Sequence, residues 1–273
     1  MILGISGKLQ SGKDSVVKIW KLLDIYNNIL QSPNKDGLAK HNITNDVNFV
    51  KHYLEKESLD DFLTGNTNIN SITKWEKRLF ARKLKEVVAL ITGCKLSDLE
   101  NNEFKSSKLP EEWAVTKLIK EDRTYKLMNI DEYVDKHYYN GEMFLSMMGY
   151  TSIIEKYIPT YREMLQVIGT DCFRNLVNPN TWVISTLSDY KEGDYWLISD
   201  VRFPNEVKGI KDKGGLIIRI NRPGMNGGSH ESEVALDDYN GFDYIIENDG
   251  TIEDLIIKVK NIMKELKFLS ENA

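Results

Sequence analysis

The chain has 273 residues, of which 41% are hydrophobic and 28% charged, with a net charge of -5. It is long enough for one large α/β domain or two small ones with a buried core, and without a cationic excess it is not built to coat nucleic acid, although a local positive cluster could still hold a small phosphorylated ligand. Cys94, Cys172 and four scattered histidines give no zinc spacing and no disulfide framework, and no bilayer-length apolar run or signal-peptide pattern occurs, so a soluble protein of a reducing cytoplasm is expected.

Met1 to Ser6 is a short, nearly unbroken apolar run, the pattern of a buried parallel strand. It is followed by GKLQSGKDS, in which Gly7, Gly12 and Lys13 have the spacing of the phosphate-binding loop G-x-x-x-x-G-K-[ST]. Asp14 stands where Ser or Thr is usual, and the hydroxyl comes one step later on Ser15. Val16-Val17, Ile19-Trp20 and Leu22-Leu23 then recur at helical spacing. Strand, glycine turn and helix thus come in the order that phosphate binding needs. Unpartnered amides and the dipole at a helix N-terminus attract an anion, and glycines let the backbone approach it. Lys13 would reach the β- and γ-phosphates. Two readings of Asp14 stay open on this stretch alone. It is a favourable first-turn residue, or it helps Ser15 hold magnesium, directly or through water. The second reading demands the cation, because a bare carboxylate would repel the phosphates.

From Ile25 to about Ile72 the chain is rich in Asn, Asp and Lys and reads as an insertion with local helix over Val47 to Leu63. A helix is expected from about Thr73 to Thr92, with Leu79, Phe80, Leu84, Val87, Val88 and Ile91 on one face and Gly93 ending it. Residues 94 to 158 resist assignment and read as a second excursion from the core. Arg162 to Leu176 reads as a helix, and another starts near Asn180 and carries Trp182 to Leu187. Tyr195 to Asp200 is a second buried strand, Gly215 to Ile220 a third and Tyr244 to Ile246 a fourth, before a last helix from about Ile252 to Phe268. Alternating strands and helices imply a parallel sheet covered on both faces.

Ligands of such sheets bind at the carboxyl ends of the strands. In DVRFPNE, residues 200 to 206, Asp200 therefore stands where a magnesium-orienting or substrate-binding carboxylate is needed. Arg202 can make a forked contact with a phosphate, and Glu206 can orient it or take a substrate hydroxyl. The plainer alternative is that Asp200 caps the next helix and Arg202 pairs with Glu206 on its surface. Arg162 suits a lid that excludes water from the phosphates. Arg174, twelve residues on, would be too distant to share its phosphate. Arg222 is a further phosphate candidate, whereas Asp171, Lys83 and Lys85 fit a solvated surface equally well. Trp182 either stacks on a base or fills the core. His230 in HESE belongs to a helix start on Ser229 or Ser232 rather than to catalysis.

The GKDS loop, FARKLKE (80–86), EFK (103–105), LQVIGTD (165–171), DVRFPNE, HESE (230–233) and NDGT (248–251) occur in this order over most of the chain. Together they resemble the phage-type deoxynucleoside monophosphate kinases, a branch of the P-loop nucleoside monophosphate kinases. In that family Asp after the loop lysine looks like the normal form. The resemblance implies a single α/β P-loop kinase domain over residues 1–273, a parallel sheet with helices on both faces. Helical insertions at about 25–72 and 110–158 would form substrate-side or lid excursions; the first has no counterpart to align.

The activity implied is transfer of the γ-phosphoryl of ATP to deoxynucleoside 5′-monophosphates, giving ADP and deoxynucleoside diphosphates for DNA precursor synthesis. By position, Lys13, Arg162, Asp200 and Arg202 would be catalytic. Gly7, Gly12, Lys13, Asp14, Ser15, Asn248, Gly250 and Thr251 would bind ATP, with Asp14 and Ser15 on Mg²⁺. Gly169, Thr170, Trp182, Asp200, Arg202 and Glu206 would surround the acceptor. The implied partners are ATP and deoxynucleoside monophosphates, with no membrane and no direct nucleic acid; a homodimer is left open, and the location is the host cytoplasm if the chain is phage-encoded. The alternatives are a dephospho-coenzyme A kinase or other small-metabolite kinase, a P-loop ATPase using water, and a binding module without turnover. Against the ATPase, Asp200 is followed by Val201, not by a water-activating Glu.

Overall fold

The computed structural model describes residues 1–31, 43–56, 73–122, 125–128, 149–224 and 234–269. In chain order its strands are β1 (Ile2–Gly7), β2 (Trp75–Arg78), β3 (Val115–Lys120), β4 (Tyr125–Met128), β5 (Tyr150–Tyr157), β6 (Tyr195–Val201), β7 (Leu216–Asn221) and β8 (Tyr244–Glu247). The α-helices are α1 (Lys13–Leu30), α2 (Asp46–Tyr53), α3 (Phe80–Thr92), α4 (Asn102–Ser106), α5 (Tyr161–Gln166), α6 (Thr181–Leu187), α7 (Pro204–Asp212) and α8 (Ile252–Glu265), and a π-helical stretch, Val167–Val177, continues α5. Two units are distinguished, Met1–Ala81 with Trp182–Ala273, and Arg82–Thr181.

In the first unit five strands lie in the order β2-β6-β1-β7-β8, every pair parallel. Successive side chains of a strand point to opposite faces, which divides the apolar runs between two cores. Leu3, Ile5, Leu197, Ile218, Ile220 and Ile246 pack against α1, α2 and α8 on one face. Ile2, Trp196, Ile198 and Ile217 pack against α6 and α7 on the other. The expected α/β sheet with both faces covered is therefore what forms.

The sequence pattern over Thr73 to Thr92 concealed a boundary. Trp75–Arg78 is an edge strand, β2, paired with β6, and only Phe80–Thr92 is helical. Trp75 is enclosed by Trp20, Tyr195 and Phe268 in edge-to-face contacts, and this packing overrides the helical spacing of the apolar residues. The helix stops at Gly93, as expected, where the Gly93 amide donates to Ala89 O.

The described part of 25–72 belongs to the core. Phe49, Val50 and Tyr53 of α2 are fully buried among α1 and α8 residues, and Lys260 of α8 pairs with Asp46 at 2.5 Å. This embeds α1 deeply: Lys21 is 5% exposed and Asp24 2%. Asp24 accepts from Thr73 at 2.7 Å. Burial, followed by repulsion from Lys77, pulls the Lys21 ammonium below its ordinary pKa.

The second unit differs from the helical insertion expected at 110–158. Its described residues there form an antiparallel sheet in the order β4-β3-β5. A separate apolar cluster gathers Val88, Leu99, Leu109, Tyr161 and Met164. The HESE stretch, residues 230–233, and the expected helix beyond residue 56 lie outside the described residues. Among the described residues no helix is long and apolar enough to cross a membrane.

Candidate active site

The loop between β1 and α1 closes tightly for reasons visible atom by atom. A side chain at Gly7 would place its Cβ 2.5 Å from Ser11 Oγ and 2.7 Å from the Ile220 carbonyl oxygen. Gly12 adopts φ +102°, and a Cβ there would lie 2.7 Å from Asn248 Nδ2. Only glycine meets both demands without strain. Lys13 Nζ folds back onto the carbonyls of Gly7 and Lys8, 2.5 Å from each. No side chain caps the first turn of α1, so the helix dipole and amides there are available to an anion. Ser11 Oγ is buried in the loop and has no hydrogen-bond partner among the described residues.

Neighbouring strands brace this loop. Asn248, just after β8, donates from Nδ2 to Ser11 O at 2.9 Å. Arg222, just after β7, donates to Gln10 O at 3.3 Å, and Gln10 itself has φ +61°. Arg219 of β7 donates to Ser6 Oγ at 3.1 Å and pairs with Asp237 at 3.3 Å, and Asp237 also pairs with Lys8 at 3.0 Å. A cavity of about 160 Å³ lies here, lined by Lys8, Arg219, Ile220, Asn221 and Arg222. Three of its five lining residues are cationic, which suits an anionic ligand.

Asp14 is solvent-facing, with its side chain 80% exposed, and pairs with Lys77 of β2 at 2.6 Å. Lys77 thus neutralises this carboxylate in part. Lys77 was hidden from sequence reasoning by the misplaced start of α3. A charged residue in an otherwise apolar strand, LIIRIN, was the signal that could have found Arg219.

Asp200 ends the run of β6 and holds a different kind of donor from those expected. Its Oδ1 and Oδ2 accept from the amides of Phe80 and Ala81, each at 2.9 Å. It therefore caps α3, whose first amides face it, and not the helix that follows in sequence. That helix, α7, is closed by Glu206, which is 6% exposed and accepts from the amides of Arg202 (2.6 Å) and Phe203 (3.0 Å). Glu206 orients Arg202 through its backbone. Thr251 caps α8 in a reciprocal pair with Asp254, at whose carboxylate Gly250 leaves room. Trp182 at the start of α6 is buried, 9% exposed.

The first unit thus brings together Gly7, Gly12, Lys13, Asp14, Ser15 and Asn248, and holds Asp200, Arg202 and Glu206 at the end of the adjacent strand β6 and the start of α7. Arg162, Gly169 and Thr170 belong to the second unit. Arg162 is exposed in the first turn of α5. Gly169 lies in the π-helical stretch, where a Cβ would come 2.7 Å from Leu84 Cδ2, so a side chain there would push α3 away. Eleven π-helical residues are unusual, and such geometry recurs at functional sites. It also changes the angular relation assumed between Arg162 and Arg174 for a continuous α-helix.

A family profile described as deoxynucleotide monophosphate kinase matches residues 111–259, more than half of the chain. The deoxynucleotide monophosphate kinase of Enterobacteria phage T4 is 32% identical over 111 residues, covering 38% of this chain and 46% of that protein. A putative deoxynucleotide monophosphate kinase of Acanthamoeba polyphaga mimivirus is 32% identical over 115 residues, 37% and 59% of the two chains. The Escherichia phage RB69 deoxynucleotide monophosphate kinase is 29% identical over 109 residues, 38% and 44%. The chain thus spans about half the length of the curated relatives it matches. Because that profile covers more than half of the chain, the chain belongs to the deoxynucleotide monophosphate kinase family.

Proposed function

We propose that the protein transfers the γ-phosphoryl group of ATP to a deoxynucleoside 5′-monophosphate, releasing ADP and a deoxynucleoside diphosphate. The observation that carries this reading is the loop at Gly7–Lys13, with its lysine turned onto the loop carbonyls and an uncapped helix start behind it. The names of the similar viral kinases support the choice of acceptor.

Phosphoryl transfer needs charge stabilisation and alignment more than covalent chemistry. Lys13 and the amides of the loop would hold the β- and γ-phosphates. Arg202, its backbone fixed by Glu206, and the exposed Arg162 would contact phosphate oxygens. The acceptor oxygen is already anionic, so no general base is required. Asp200 keeps the start of α3 in place. Asn248 supports the loop beneath the donor, while Trp182, Gly169 and Thr170 are assigned to the acceptor side.

Among the described residues no cluster of three or more His, Cys, Asp or Glu could hold a metal by itself. The exposed Asp14 carboxylate and the Ser15 hydroxyl fit Mg²⁺ shared with substrate phosphates, the usual mode for this ion. When bound, magnesium would neutralise charge on the phosphate oxygens. Lys77 would have to yield Asp14 to it.

A coupled assay offering ATP and magnesium with each deoxy- and ribonucleoside monophosphate tests the reading. ADP release that depends on a deoxynucleoside monophosphate is expected. ADP formed at one rate with or without an acceptor would instead identify an ATPase. Turnover confined to dephospho-coenzyme A would identify that kinase, and ATP binding without ADP a binding module.

A further inference from the structure

The second unit contains a polar network that the phosphoryl-transfer scheme does not use. Lys117 of β3 donates from Nζ to Glu163 Oε1 at 2.9 Å and to Tyr157 Oη at 3.1 Å. Tyr157 Oη donates to Glu163, 2.8 and 2.9 Å from its two oxygens. The Thr160 amide donates to Glu163 Oε2 at 2.9 Å, and the Glu163 amide returns to Thr160 Oγ1 at 3.2 Å. The Lys117 and Glu163 side chains are only 14% and 12% exposed, and the ammonium lies 4.2 Å from the Tyr157 ring centre. Burial alone would raise the Glu163 pKa, but the hydrogen bonds from Lys117, the Thr160 amide and Tyr157 outweigh it and hold the carboxyl below its ordinary value.

Arg162 is the residue immediately before Glu163. It is exposed, and among the described residues its guanidinium has no ion pair or hydrogen bond. Positions three and four residues away along the chain are Ile158, Pro159, Leu165 and Gln166, none of them acidic, so no helical neighbour can neutralise it. Glu163, the adjacent carboxylate, is consumed by Lys117, Tyr157 and Thr160. One part-buried network therefore fixes the first turn of α5 to the antiparallel sheet, occupies the carboxylate next in sequence and leaves a cation standing in solvent. A surface arginine without such a base would lose rotamer freedom on gripping a phosphate and would have its charge shared with nearby acids.

We propose that Lys117, Tyr157 and Glu163 are positioning residues that present Arg162 as an unpaired, phosphate-binding cation, an inference that rests on the phosphotransferase reading above. They touch neither substrate nor reacting atoms. Their effect passes through the backbone of α5.

The test is a double-mutant cycle on the full chain, with kcat and both KM values measured under ATP–magnesium and the best deoxynucleoside monophosphate. Arg162→Ala is expected to lower kcat about 10²-fold. Glu163→Gln keeps an accepting oxygen but turns an amide NH₂ toward the Lys117 ammonium. It should lower kcat about tenfold, with the KM for ATP changed less than about threefold. In the Arg162→Ala background the same substitution should cost less than about twofold, because residues that act as a unit are not additive. Should Glu163→Gln fail to fold, Tyr157→Phe, which keeps the ion pair, enters the same cycle with smaller effects of the same pattern. Equal losses in both backgrounds overturn the inference while leaving the phosphotransferase reading intact, as does an active enzyme indifferent to Arg162→Ala. A wild-type protein that forms no ADP with any nucleoside monophosphate refutes the functional reading, and the inference with it.

Discussion

Replacing Asp200 separates two roles that sequence alone cannot distinguish. Its carboxylate accepts two amides at the start of α3, each at 2.9 Å. Asp200→Ala removes a helix cap, at about 1–2 kcal/mol, and a favourable charge at a helix N-terminus, at about 0.3–1 kcal/mol. It also strands a second, partly buried amide, at about 1 kcal/mol in this half-solvated position. The total, about 2–4 kcal/mol, corresponds to a fall of roughly 5–15 °C in Tm for a chain of this size. Asp200→Asn keeps one accepting oxygen, so it should lose about half as much stability and, well below its Tm, retain kcat within about tenfold of wild type. Differential scanning calorimetry and the coupled ADP assay read the two quantities side by side. If both variants melt within about 1 °C of wild type while kcat falls by about 10³-fold, the carboxylate acts on substrate or cation, and its assignment to the helix start is wrong.

Three further substitutions and a pH series extend the test. Lys13→Ala should abolish measurable turnover, a loss of at least about 10²-fold in kcat, with far-ultraviolet circular dichroism unchanged; wild-type kcat in that variant would remove the phosphate-loop assignment. Gly12→Ala must place a Cβ 2.7 Å from Asn248 Nδ2 at φ +102°, so a loss of about 1–3 kcal/mol in denaturant unfolding and weaker ATP binding by calorimetry are expected together. Arg202→Ala should raise the KM for the acceptor much more than the Kd for ATP, and equal losses would move Arg202 to the donor side. The Glu163 carboxyl is held below its ordinary 4.5, so its contribution to stability is complete above that value and is lost as the pH falls through the depressed one. Burial would lower the Lys117 pKa, but the hydrogen bonds that its ammonium donates to Glu163 and Tyr157 outweigh it and hold the group above its ordinary 10.5, so its contribution is complete below 10.5 and disappears as the pH rises through the elevated value. The Tm difference between wild type and Glu163→Gln should accordingly be flat between 4.5 and 10.5 and shrink on the acid side.

The strands of the first unit were legible because a parallel sheet covered on both faces demands uninterrupted apolar runs, and Met1–Ser6, Tyr195–Asp200 and Gly215–Ile220 are such runs. The tight turn between β1 and α1 was legible because its glycines answer steric demands that no other residue meets. Trp75–Arg78 was not, since WEKR is four residues long, mostly charged and stabilised by Trp20 and Phe268, which come from far along the chain. Missing it hid Lys77 and with it the partner of Asp14. The carboxylate of Asp200 was correctly placed at a strand end, but its amide donors come from a segment some 120 residues earlier, a relation no local pattern encodes. Antiparallel strands in 110–158 were obscured for a similar reason: TKLIK alternates only briefly, and its pairing depends on β5, which follows the long interval 129–148.

The burial of α1 bears on how the protein can move. Eleven of its eighteen residues are buried, Lys21 and Asp24 among them, whereas a helix lying on a sheet ordinarily keeps a broad solvent side. Jacketed by α2 and α8, the helix behind the Gly7–Lys13 loop cannot tilt or slide without dragging two other helices along. Any closing stroke that the proposed reaction needs therefore has to be borne by other parts of the chain, and the amides in the middle of α1 should be among the last to exchange with deuterated solvent.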